Sequence, residues 1–497
     1  IMEQYLDDRE AVSKNDVINA IKNYRLSSSD LVEQTSIKYV FDKVLPSLLR
    51  LVSDEDPDVA SAAKEQLDSV IRNLWFQDQY NVVSELNRLS LKLKEAETVE
   101  EKENIALLIS AVSYHIPWDF DYHRETMVHL LIEVYQETQN DFVRVSIAET
   151  IANVAKKSPE WRTQPNIQPL IDTLSEKYEV IEHSQLINAV AKALGNILIG
   201  VNPETSEQAI QPLMDILLSL PDVETGNDIV YALTGIGEQA VPHLVVALEN
   251  AHEQSNDPQI IEIANALGKV ANRFKQTTID ETTQNLLQQA LNIFNSRLET
   301  ANEQNNVEDD VLIFYLAYAI KNIYEALDPV SESVPEFQSL LIALENANGR
   351  GGSASTVGLL NAISVTIGTE EEARQALPYL LTTLELANEQ GNIEVASAVS
   401  ITLRHVVKLV DQDSIRRIVP YLIIALEIAI EQNGGRSIIT ISNTFHEIAK
   451  IDPELIEQAI PYLLSALILS ENEFIEGIGT YIRPILNLLG ESSQHLL

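Results

Sequence analysis

Four residues within nine positions, His115, Asp119, Asp121 and His123, have the types and spacing to hold a metal ion. Imidazole nitrogen with carboxylate oxygen suits a borderline or hard cation. The same stretch also carries Tyr114, Pro117, Trp118, Phe120 and Tyr122. That aromatic density favours a packed loop between structural units, so no metal or other cofactor is expected. Two glycine-rich segments, Gly349-Arg350-Gly351-Gly352-Ser353 and Asn433-Gly434-Gly435-Arg436-Ser437, could cradle a phosphate. Both fall at one place in a recurring unit, where a turn needing positive φ explains the glycines. The spacings Gly-x-x-x-x-Gly-Lys-Ser/Thr, Gly-x-Ser-x-Gly and His-Glu-x-x-His are absent. The sequence has no cysteine, which excludes disulfides, thiolate metal sites and thiol nucleophiles. No enzymatic activity is expected.

Charge is the strongest bulk signal. Among 497 residues, 34 Lys and Arg stand against 74 Asp and Glu, a net −40. Nucleic-acid binding needs a basic surface that displaces counterions, and anionic lipid needs the same sign, so neither partner is expected. A protein or peptide with a basic segment is the expected partner. From Ala193 to Gly268 there is no Lys or Arg but 11 acids: Glu204, Glu207, Asp215, Asp222, Glu224, Asp228, Glu238, Glu249, Glu253, Asp257 and Glu262. This belt is either a docking surface for such a segment or a solvated face. The opposite sign collects near the C-terminus, where Arg404 and Lys408 share a helix face with Glu394 and Ser397. One unit later Arg436, His446 and Lys450 follow on the same face. They would form a basic patch able to hold an acidic peptide or phosphate, or would pair with neighbouring acids.

Aromatic and aliphatic residues supply further candidates. Trp75, Trp118 and Trp161 are spaced 43 residues apart, each just after a second helix. They either pack the joints between units or form a stripe that grips an extended peptide. In Leu377–Asn392, facing Leu377, Leu380, Leu381 and Leu384 inward turns Tyr379, Thr382 and Leu386 outward. The equivalent outward residues are Tyr421, Ile424 and Ile428, then Tyr462, Ser465 and Leu469. The segment 419–430 is thus apolar nearly all round, which implies burial by neighbours, with self-association through the C-terminal repeats as the competing reading. Its longest apolar run, Tyr421–Ile430, is broken by Glu427, and no stretch is expected to span a membrane. Absent cysteine fits a cytoplasmic chain. The acidic start, Ile1–Glu10, carries no leader pattern, and its Ile1-Met2 opening suits a piece of something longer.

The elements that must position these residues repeat. Leu377-Pro378-Tyr379-Leu380 returns as Val419-Pro420-Tyr421-Leu422, and more faintly at Val241–Leu244 and Ile460–Leu463. Setting the register on that proline gives positions 46, 87, 128, 169, 212, 242, 292, 338, 378, 420 and 461, with spacings of 41, 41, 41, 43, 30, 50, 46, 40, 42 and 41. Each unit is predicted to be two helices. Thr369 with Glu372 forms a capping box, Gln390-Gly391-Asn392 closes the first helix, and the second runs over 393–410. The proline should kink or divide the first helix.

This pattern resembles the HEAT and armadillo repeat families. The residues that carry the resemblance are the first-helix proline, the period, and segments such as Asp141-Phe142-Val143-Arg144, Asp56–Ala63 and Ala193–Ile197. Most units lack the arginine, so the likeness is architectural. It implies an all-α, right-handed α-solenoid of about eleven ~42-residue helical hairpins. Residues 1–45 would cap it, 46–497 would form the repeats, and 212–338 would be irregular. Such a fold suits a non-catalytic scaffold or adaptor presenting a long acidic surface. A sensor or inhibitory arm of a larger effector complex is the second expectation. The third is an enzyme on a helical-repeat frame, of lyase or glycosylase type.

Overall fold

The computed structural model describes residues 13–23, 34–52, 54, 56–77, 79–115, 124–157, 167–176, 183–199, 203–220, 223–275, 277–304, 309–327, 336–473 and 478–488. All regular elements among them are helices. The chain divides into two compact units, 1–240 and 241–497.

In the first unit α1 (Lys14–Asn23) packs against α4 (Pro57–Gln77). Helix α2 (Gln34–Tyr39) continues through a π turn, Val40–Val44, into α3 (Leu45–Val52), so one helical stretch runs across positions 45 and 46. Helical hairpins follow: α5 (Gln79–Glu95) with α6 (Val99–His115), α7 (Arg124–Glu137) with α8 (Asp141–Lys157), and α9 (Gln168–Ser175) with α10 (Ser184–Ile197). The last pair is α11 (Pro203–Ser219) with α12 (Val223–Ile236).

The second unit repeats the hairpin: α13 (Ala240–Glu253) with α14 (Asp257–Phe274), α15 (Glu281–Gln304) with α16 (Asp310–Leu327), and α17 (Glu336–Arg350) with α18 (Ser353–Thr366). Then come α19 (Glu370–Gln390) with α20 (Ile393–Val406), α21 (Gln412–Glu431) with α22 (Gly435–Ile451), and α23 (Ile460–Glu473) with α24 (Ile478–Leu488). The uneven spacing between positions 212 and 338 has a plain cause. Only a 3-10 turn, Gly237–Gln239, separates α12 from α13, whereas α15 is 24 residues long.

Within each unit the second helices stack on one another, α8 on α10 on α12 in the first and α14 through α24 in the second. Small residues permit the close approach. A Cβ on Gly235 of α12 would lie 2.4 Å from the carbonyl oxygen of Gly195 on α10, so no larger residue fits unless a helix moves. Hydroxyls tie the layer further along: Thr402 on α20 donates to the Leu360 carbonyl (3.0 Å), and Thr444 on α22 donates to the Ser400 carbonyl (2.8 Å).

Periodicity fares well where it is local. Leu377, Leu380, Leu381 and Leu384 are all buried, as are Val395, Val399, Thr402 and Val406. The Thr369–Glu372 capping box is present, Gly391 closes α19 at φ 65°, and the Asn392 side chain caps α20. Helix α20 stops at Val406 rather than 410, giving way to a turn before the Asp411 cap of α21.

The proline expectation needs correction. Pro212, Pro378 and Pro420 sit inside unbroken helices. Among the described residues, division occurs at Pro242 and Pro461, which follow 3-10 turns, while Pro169 lies in the first turn of α9 and a π turn precedes Pro46. A missing N–H and a ring–carbonyl clash can be absorbed by one altered turn. Pro242, Pro378, Pro420 and Pro461 are all exposed. The membrane expectation is also corrected in part. The run Gly226–Glu253 is long and apolar enough to cross a bilayer by length and composition, but 61% of its apolar window is buried in the protein, as in a core helix.

Candidate partner-binding surfaces

The cationic residues near the C-terminus come together at the ends of α20 and α22. Lys408 Nζ lies 3.3 Å from one oxygen of Glu447, and Lys450 Nζ lies 2.9 Å from the other. These cations hold the Glu447 carboxyl below the usual range; the Lys450 hydrogen bond is the largest cause. Arg404 makes no ion pair or hydrogen bond with a described residue. His405 beside it is half-buried. Burial, then Arg404, pushes this imidazole below its ordinary value, and Lys408 adds to the effect. His446 is lowered by burial and then by Lys450, with Glu447 opposing. Arg436 stands at the opposite end of α22, ~21 Å along the helix axis from Lys450 at 1.5 Å per residue.

The acidic belt is less uniform than its sequence. Asp257 takes a bidentate contact from Arg297, at 2.7 and 2.6 Å. Glu262 is 3% exposed, so it is a core residue. Asp215 accepts from Gln211 at 2.7 Å, and Glu249 accepts from Gln289. Glu207 and Glu253 are exposed. Asp222 and the side chains of Glu204 and Glu224 lie outside the described residues, and Asp228 and Glu238 are half-buried.

A more defined acidic feature lies in the first unit, between the α2–α3 stretch, α5 and α6. It is an open groove of about 610 Å³. Phe41, Pro46, Leu89, Ile105 and Leu108 contribute apolar lining, and Glu95, Glu100 and Glu101 line it too. All three glutamates are exposed, and none pairs with a described cation. Glu100 and Glu101 suit the first turn of α6, whereas Glu95 sits in the last turn of α5, the end a carboxylate least favours. Asp42 at the groove is already held by Arg88 at 2.7 Å, and Lys92, a cation in the same lining, lies 3.8 Å from it. Sequence reasoning passed over this feature because its walls come from three helices.

On the outer helices, Tyr379, Tyr421, Ile428 and Tyr462 are half-buried, while Ile424 is 46% exposed. The helix 419–430 is therefore not covered on every side. Val246 (56%) and Ile342 (47%) hold the equivalent place on α13 and α17, four residues after the register position. Trp118 and Trp161 lie outside the described residues, as do the candidate ligands Asp119, Asp121 and His123 and the side chains of Trp75 and His115. Among the described residues no group of three or more His, Asp or Glu could hold a metal ion.

One device was missed. Asn302, Asn348 and Asn388 each stand ten residues after a register position and each donates to the next first helix. Asn302 reaches the Ser339 carbonyl (3.1 Å), Asn388 the Tyr421 carbonyl (3.0 Å), and Asn348 the Thr383 hydroxyl (2.7 Å). A recurrent asparagine inside helices, where it is a poor helix former, was the available signal.

No family profile matches the sequence, and no curated protein matches it. Solved structures do. Yeast importin-β (Kap95p) matches with a TM-score of 0.54 at 13% identity, over 99% of this chain and 70% of that one. Importin-β from an ammonium sulfate condition matches at 0.54 and 15%, over 92% of this chain and 62% of that one. Kap95 in its complex with Nup1 matches at 0.54 and 14%, over 100% and 70%. The chain thus spans under two thirds to about 70% of these proteins. They are HEAT-repeat α-solenoids, and at this identity the likeness establishes the fold.

Proposed function

We propose that this HEAT-repeat α-solenoid is a non-catalytic protein-binding scaffold whose partner offers a basic segment. The observation that carries the reading is the first-unit groove, with its apolar lining and three unpaired glutamates. Elsewhere several described cations are matched: Lys14 to Asp56 and Asp58, Lys102 to Glu137, Lys275 to Glu325, Arg350 to Asp310. An apolar floor takes the aliphatic stems of Lys or Arg, and a carboxylate rim takes their heads. The exposed belt residues Glu207, Asp215 and Glu253 would steer such a segment at longer range. The solved neighbours include complexes with protein partners, which favours protein over small-molecule recognition in this fold. Cytoplasmic localisation is part of the same proposal.

The test is binding of a labelled Lys/Arg-rich peptide to the full chain. Charge reversal at Glu95, Glu100 and Glu101 should weaken binding about tenfold or more, since rim charges act on encounter and register. Equal affinity in the reversed variant would remove the groove from the reading. The alternative of a regulatory arm rests on Ile424 and Ile468, 46% and 61% exposed on adjacent first helices. Light scattering of the isolated chain addresses it, because an uncovered apolar face favours association.

A further inference from the structure

We infer that the ends of α20 and α22 form an anion-binding site that captures an acidic peptide segment, with Arg404, Lys408 and Lys450 as its cations. The site is distinct from the glutamate groove in sign and in place. Lys408 and Lys450 share the single carboxylate Glu447, and Arg404 stands one helical turn before Lys408 without an ion pair to a described residue, which leaves a local excess of two in a chain of net −40. Lys275 and Lys321 likewise share Glu325, whereas Lys14 meets two aspartates and Arg88 meets Asp42 and Glu85.

The cluster is built rather than scattered. Arg404 and His446, His405 and Glu447, and Lys408 and Lys450 are pairs 42 residues apart, so repeat stacking brings equivalent positions side by side. Helix packing fixes the platform: Thr444 on α22 bonds across to the Ser400 carbonyl on α20. Two imidazoles sit among the cations, and both are disfavoured as imidazolium, by burial first and then by Arg404, Lys408 and Lys450.

Glu447 occupies the position an incoming carboxylate would share, bridging the two lysines and holding them apart for a ligand. Arg404, with no described partner, is the group free to make a bidentate contact to carboxylate. A second copy of this chain is the weaker occupant, because two surfaces of net −40 repel before they dock. An acidic segment carries far less total charge and approaches the cluster locally.

The test uses the full chain and a labelled glutamate-rich peptide at low salt, read by anisotropy. The double variant Arg404→Gln/Lys408→Gln should bind at least about tenfold more weakly. Arg416→Gln, which removes a nearby arginine already paired to Asp413, should bind as wild type. In the wild type the peptide should raise the titration midpoints of His405 and His446 by NMR, since an added anion favours imidazolium. The variants change exposed or half-exposed side chains, and unchanged melting confirms that they fold. Lys450→Gln supplies a second reading if the double variant melts early. Unmeasurable wild-type binding, equal binding by the double variant, or saturation by inorganic phosphate but not by peptide would each overturn the inference. Retained binding of a Lys/Arg-rich peptide by the double variant separates this outcome from the fate of the groove.

Discussion

His405 shows how a single side chain reports its surroundings. Its native ring favours the neutral form because it is half-buried and lies beside Arg404 and Lys408. The unfolded chain therefore takes up a proton first as pH falls below ~6.5, the ordinary imidazole value. Stability from this group is present above that pH and is lost as pH falls through the lowered native value. Replacing His405 by Gln should flatten the fall in unfolding midpoint between about pH 7 and pH 5. Above pH 7 the pH slopes of the two proteins should coincide; parallel curves throughout would contradict the argument. Glu447 works lower on the scale. Its native carboxyl is held down by Lys450 and Lys408, so its contribution persists above the ordinary ~4.3 and disappears as acid protonates it.

At the scale of elements, the two layers impose different demands. Second helices approach closely, and Gly235 is where α10 and α12 meet with least room. Gly235→Ala should cost about 1–3 kcal/mol, the range for overpacking, measured as a lowered unfolding midpoint. An unchanged midpoint would mean the helices can separate freely. First helices carry the prolines, and here the direction reverses. The Pro420 ring is exposed within α21, so Pro420→Ala removes a backbone penalty without losing a packed side chain. A gain of about 1 kcal/mol is expected after allowing for the looser unfolded chain. Destabilisation would show that the ring packs against something essential. These elements also mark how far sequence carries. The inward leucines of α19 and its capping box are legible because both depend on residues within one or two turns. The π turn before Pro46 is not, because proline alone does not say whether a helix bends, tightens or widens. The Lys408–Glu447–Lys450 contact is half legible. Its cations stand out by charge, but Glu447 joins them only once the 42-residue register is applied across two repeats. The groove needs three helices at once, and its glutamates are lost among 74 acids until the apolar lining singles them out.

For the whole molecule, we propose an acidic α-solenoid that meets a basic segment through exposed carboxylates, with one cationic cluster set apart. Within each unit stability is spread over repeats that contact their neighbours, so no single surface residue should decide folding. Binding can then be altered at the groove without loss of the fold, which is the condition for a clean test. The most direct measurement is the affinity of the full chain for a Lys/Arg-rich peptide across ionic strength. The Debye length shrinks from ~30 Å at 0.01 M salt to ~8 Å at 0.15 M, so charge-driven capture should weaken about tenfold or more over that interval. The Glu95, Glu100 and Glu101 charge-reversed variant should be weaker at low salt and nearly insensitive to it. Affinity that holds constant from low to physiological salt, or a wild type and variant that follow one curve, would contradict the account.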